Sequence, residues 1–74
     1  MNHYSMVIEW SDEDAAYVVS FPEWEAVASI AHTHGDTYAE AVKAGEEMLA
    51  FLIDARQAHH EALPSPKVFV PTHA

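Results

Sequence analysis

Apolar and polar residues alternate from the start of the chain. Tyr4, Met6, Ile8 and Trp10 interleave with Ser5, Val7 and Glu9, a period close to two that predicts a strand over Tyr4–Trp10. Ser11-Asp12-Glu13-Asp14 is a polar, acidic break and reads as a turn. A second run, Ala15 to Phe21, is rich in β-branched and aromatic residues and predicts a second strand. Pro22 closes it, because proline gives the ladder no donor. Two strand patterns joined by a short polar link pair as an antiparallel hairpin.

Glu23-Trp24-Glu25 reads as a short loop. Val27–Thr33 is a third strand pattern, with a helical turn over Glu25–Ala28 as the alternative, since alanine is a poor strand former. His34-Gly35-Asp36 reads as the break before a helix. Thr37 and Glu40 stand in capping-box spacing: the Thr hydroxyl accepts from the Glu40 amide, and the Glu40 carboxylate reaches back to the Thr37 amide. Tyr38, Ala41, Val42, Gly45, Met48, Leu49, Leu52 and Ile53 then recur at helical spacing, opposite Glu40, Lys43, Glu46, Glu47 and Asp54. Gly45 inside this pattern costs about 1 kcal/mol against alanine, which a close approach of helix to sheet would explain.

The helix is expected to fade between Arg56 and His60. Pro64 and Pro66 then impose an extended path. Lys67-Val68-Phe69-Val70 is β-prone and reads as a short final strand closed by Pro71. The order β-β-β-α-β predicts an α+β domain over residues 1–74: an antiparallel three-stranded sheet, one long helix packed on it, and a short C-terminal strand.

Composition narrows the function. A chain of 74 residues is marginal as a lone domain, and it has no cysteine for disulfides or thiolate metal sites. Self-association is the remaining general remedy, so an oligomer is expected. The lack of cysteine suits a cytoplasmic location, and the first residues show neither signal-peptide pattern nor membrane span. Three basic residues, Lys43, Arg56 and Lys67, stand against twelve acids, for a formal charge of −9. Nucleic acids and anionic membranes need cations to neutralise their phosphates, so neither is expected as a direct partner. A basic protein is, because opposite charge speeds encounter.

Catalytic patterns are sparse. With only Gly35 and Gly45 there is no phosphate-binding glycine loop, and no serine sits in a nucleophile elbow. His32, His34 and Asp36 are the candidates for a divalent metal, since alternate residues of a strand share a face. The competing reading places the histidines on a surface turn and Asp36 at the positive end of the helix. No cofactor is expected. Trp24, flanked by Glu23 and Glu25, is a candidate anchor for a basic partner, together with Asp12, Glu13 and Asp14 of the hairpin turn. The other reading of Trp24 is peripheral core.

An acidic hairpin turn, a tyrosine-bearing strand, Gly35-Asp36-Thr37-Tyr38-Ala39-Glu40-Ala41, a helix and Leu63-Pro64-Ser65-Pro66 follow in one order. In this the chain resembles the HicB-like antitoxin family over roughly residues 4–69. The resemblance implies a truncated RNase H-like fold. It also implies a non-catalytic, oligomeric protein that binds a small basic, mRNA-cleaving toxin (HicA-like) of a type II toxin–antitoxin pair. Many members add a C-terminal DNA-binding segment. None follows here, so binding to promoter DNA is not expected. The chain departs from the pattern in having Ala15-Ala16 where a glycine often follows the turn, and Pro22-Glu23-Trp24-Glu25-Ala26 where a Pro-Gly-Cys-like piece is common.

The leading reading is thus an antitoxin-like binding module with no enzymatic chemistry. A solitary oligomeric domain with a structural or regulatory role is the alternative. A small metal-dependent hydrolase built on His32, His34 and Asp36 ranks third.

Overall fold

The computed structural model describes residues 2–28 and 32–71. Strand β1 is Val7–Ser11, β2 is Ala16–Ser20, β3 is His32–Gly35, and helix α1 is Tyr38–Ala58. The sheet order is β1-β2-β3, with both pairings antiparallel. The α+β class, the three-stranded antiparallel sheet and the single long helix therefore agree with expectation.

The hairpin forms where the polar break lies. Residues 12–15 make the turn, and the Asp14 amide donates to Ser11 Oγ at 3.1 Å. Ala15 sits at φ 51°, in the left-handed region, which leaves β2 to begin at Ala16. Register pairs Trp10 with Tyr17 and Ile8 with Val19. Alternation then puts Ile8, Trp10, Tyr17 and Val19 on one face of the sheet, and Val7, Glu9, Val18 and Ser20 on the other.

The third strand lies later than expected. Pro22–Trp24 is a 3-10 turn, and the amides of Val27 and Ala28 both donate to the Trp24 carbonyl. The helical-turn alternative thus holds for this stretch. Ser29, Ile30 and Ala31, in the middle of the expected strand, lie outside the described residues. His34 and Gly35, expected to be a break, belong to β3. The reason is close packing. A Cβ on Gly35 would overlap the backbone of Ala41 and Glu40, with Ala41 Cα only 2.7 Å away. Here glycine marks a strand crossed closely by the helix, not a turn.

Helix α1 starts at its cap: Thr37 Oγ1 accepts from the Glu40 amide at 3.1 Å. It packs mainly on β3 and β2 and touches β1 more lightly. Gly45 faces the sheet, where a Cβ would overlap Met6 Sδ and stand 3.1 Å from Val19 Cγ1. The expected close approach at this glycine is therefore present. The helix ends in a Schellman arrangement. His60 lies at φ 56°, its amide donates to the Gln57 carbonyl, and the Glu61 amide donates to the Arg56 carbonyl.

Val19, Phe21, Trp24, Ala41 and Leu49 form the buried core, with Tyr4, Met6 and Ile8 among the half-buried residues packed on it. Burial of a Val or Phe side chain contributes about 1.5–3 kcal/mol, so a core this small leaves little margin. Beyond the helix the expected C-terminal strand is not formed. Residues 61–71 run without regular structure, and Val68, Phe69 and Val70 are exposed, Phe69 at 90%. The radius of gyration, 13.5 Å, exceeds the ~11 Å of a close-packed chain of this length, in keeping with this peripheral run.

Candidate functional site

The six residues expected to meet a partner divide into two sets. Asp12, Glu13, Asp14 and Glu25 are exposed. Trp24 is fully buried, and Glu23 is only 8% exposed. The reading of Trp24 as a surface anchor is thereby corrected. Phe21 and Trp24 share the core, the Trp24 amide donates to the Phe21 carbonyl, and the ring meets Tyr4 edge-on at 5.2 Å. Hydrophobic burial of so large a ring outweighs any use of it at the surface in a domain this small.

Glu23 is corrected for a different reason. Its carboxylate is a clip between distant backbone segments. It accepts from the Ser5 amide at 3.1 Å, the Ser5 hydroxyl at 3.0 Å and the Lys67 amide at 2.8 Å. Burial pushes its pKa up, and that is the largest single influence. Hydrogen bonds from the amides of Lys67, Glu23 itself and Ser5, with the Ser5 hydroxyl, together outweigh it and hold the carboxyl below its ordinary range. The charge is thus already satisfied internally. Nearby, Tyr4 Oη donates to the Pro64 carbonyl and Arg56 Nε to the Ala62 carbonyl at 2.7 Å. These contacts fasten residues 62–67 to the body of the fold.

The histidines share a face, as expected of a strand. His34 lies opposite Val18 and His32 opposite Ser20. With Asp14, Ala16 and Val18 they line an open depression of about 470 Å³ on the sheet face away from the helix. Asp36 follows β3 and is exposed ahead of the Thr37 cap. Among the described residues, no group of three or more His, Cys, Asp or Glu side chains is placed to hold a metal ion. His32, His34 and Asp36 are therefore not brought together as a ligand set.

A surface feature that the sequence reading missed lies beside the hairpin. Trp10 and Tyr17, paired in register, meet edge to face at 5.1 Å, and Tyr17 meets Tyr38 of the helix at 5.8 Å. Trp10 is 52% exposed and Tyr38 59% exposed. The indole Nε1 of Trp10 donates to Asp12 Oδ1 at 2.8 Å, joining the aromatic row to the acidic turn. Counting outward from the turn would have paired Trp10 with Tyr17. The contact with Tyr38 depends on how the helix crosses the sheet, which no local pattern encodes.

No described helix is long and apolar enough to cross a membrane. In comparisons with known proteins, no family model, no curated protein and no solved structure matches the chain.

Proposed function

We propose that this chain is a non-catalytic, antitoxin-like binding module that sequesters a small basic, mRNA-cleaving toxin in the cytoplasm. The observation that carries the reading is electrostatic. Twelve acids face three cations, and the side chain of one of those, Arg56, is turned back onto the Ala62 carbonyl. The hairpin acids Asp12, Glu13 and Asp14, with Glu25, are exposed and would oppose the RNA-binding face of a basic ribonuclease. Inhibition is then steric and electrostatic, and no residue of the chain performs chemistry. The resemblance to HicB-like antitoxins supports the same partner class (HicA-like). It also suggests a truncated RNase H-like arrangement of the three strands and helix, assembled as a dimer or tetramer.

A second reading, a solitary oligomeric domain with no toxin, is favoured by one observation. Val68, Phe69 and Val70 form an exposed apolar run, and such a run is commonly covered in an assembly. Co-expression with the product of the adjacent reading frame separates the two. A small basic protein that co-purifies at fixed ratio, and whose toxicity the chain suppresses, supports the antitoxin reading. A homo-oligomer with nothing bound supports the second.

A further inference from the structure

We infer that the aromatic row Trp10–Tyr17–Tyr38, edged by Asp12, is the recognition surface for an arginine-bearing segment of a basic protein partner. The inference rests on the binding-module reading and adds to its hairpin acids the aromatic row beside them. Half-exposed aromatic rings in mutual contact are unusual on a domain this short of core, where large side chains are needed inside. Phe21 and Trp24 are fully buried, whereas Trp10 and Tyr38 are more than half exposed. The rings are also held in place. Trp10 is fixed by its indole hydrogen bond to Asp12, and Tyr17 is wedged edge-on between its two neighbours. A rigid Trp/Tyr platform loses little entropy on binding and is the composition in which binding energy concentrates.

Charge selects the occupant. A guanidinium stacks on aromatic faces and pairs with carboxylates through the same planar fork. Both kinds of group occur here: two exposed rings, with Asp12 bonded to one of them and Asp36 two residues before the other. No lysine or arginine lies within four residues of Trp10, Tyr17 or Tyr38 in the sequence. A second copy of this chain is the poorer occupant, since it brings the same −9 charge. Nucleic acid would stack on such rings too, but its phosphates would meet carboxylates.

The test is a titration of a fluorescein-labelled nona-arginine peptide, read by anisotropy in about 150 mM salt, where long-range attraction is largely screened. Trp10→Ala and Tyr38→Ala are each expected to weaken binding at least about tenfold, and Trp10→Phe to recover most of it. The double variant Glu46→Gln/Glu47→Gln removes two charges from the exposed side of the helix and is expected to change binding less than about threefold. In Trp10→Ala the one remaining tryptophan, Trp24, reports by its emission that the core is intact. If Trp10→Ala weakens binding no more than the helix charge variant does, the inference is overturned. The same holds if a co-expressed toxin is captured equally well by Trp10→Ala, in which case the binding-module reading survives. If no toxin is captured at all, that reading falls, and the peptide titration alone decides the role of the aromatic row.

Discussion

The backbone amide of Lys67 donates to the carboxylate of Glu23 at 2.8 Å, joining residues 44 apart in the chain. The same carboxylate holds the Ser5 amide and hydroxyl. One side chain therefore ties the segment before β1, the turn after β2 and the segment beyond the helix.

A consequence follows for pH. The folded-state pKa of Glu23 is lowered from the ordinary 4.5, so its contribution is present above the unfolded carboxylate range and lost as pH falls through the folded value. Hydrogen bonds to a charged group contribute about 1.5–3 kcal/mol. Glu23→Gln is expected to cost a similar amount near neutral pH, with the gap to wild type closing as pH falls below 4.5 and through the lowered folded value. Urea denaturation across pH 3–7 measures this. A gap independent of pH would contradict the clip.

The two glycines should respond unequally to alanine. At Gly35 the new methyl meets the backbone of Ala41 and Glu40, which has no room to yield. Gly35→Ala is expected to cost about 3 kcal/mol or more. At Gly45 the nearest atom is the flexible end of Met6, with Val19 next. A helix-propensity gain of about 1 kcal/mol offsets part of the strain there. Gly45→Ala is expected to lose less than about 1.5 kcal/mol. Equal losses in urea midpoints would count against this packing.

Ala15 and His60 both occupy left-handed backbone, at φ 51° and φ 56°. For L-residues this region costs roughly 1–2 kcal/mol, which glycine avoids at the expense of greater unfolded-state entropy. Ala15→Gly and His60→Gly are each expected to stabilise by up to about 1 kcal/mol, the effect at His60 being smaller because histidine is among the residues enriched there. Thermal melts of the two variants provide the check. A fall in Tm for Ala15→Gly would argue against the turn geometry.

Trp24 Nε1 is buried without a hydrogen-bond partner among the described residues. Trp24→Phe removes that unpaired donor while keeping most of the ring, and is expected to cost less than about 1.5 kcal/mol. Trp24→Ala leaves a cavity and is expected to cost about 3–5 kcal/mol. Losses of similar size in the two variants would show that the indole donor has a partner.

The legible parts of the fold were those set by local chemistry. Alternation and the polar turn located the hairpin, and Thr37 with Glu40 located the start of the helix. What lay beyond reach was set by tertiary contact. Gly35 looked like a break because glycine usually marks one, yet here it is a strand residue crossed by Ala41. Lys67–Val70 has strand propensity, but the Lys67 amide is taken by Glu23 and not by a neighbouring strand. Glu23 looked like a surface acid because it is charged, and Trp24 stood open between a surface anchor and peripheral core. Their burial depends on Ser5, Lys67 and Tyr4, none of which is adjacent in sequence. On the candidate surface, the acids of the hairpin turn were readable, and the row ending at Tyr38 was not.

The most direct measurement of the central claim is a stoichiometric titration. The purified chain is added to the basic product of the adjacent reading frame while cleavage of an mRNA substrate is followed. Cleavage is expected to fall linearly to zero at a fixed molar ratio, with the chain alone leaving the substrate intact. Undiminished cleavage at large excess of the chain, or cleavage by the chain itself, would contradict its reading as a non-catalytic antitoxin.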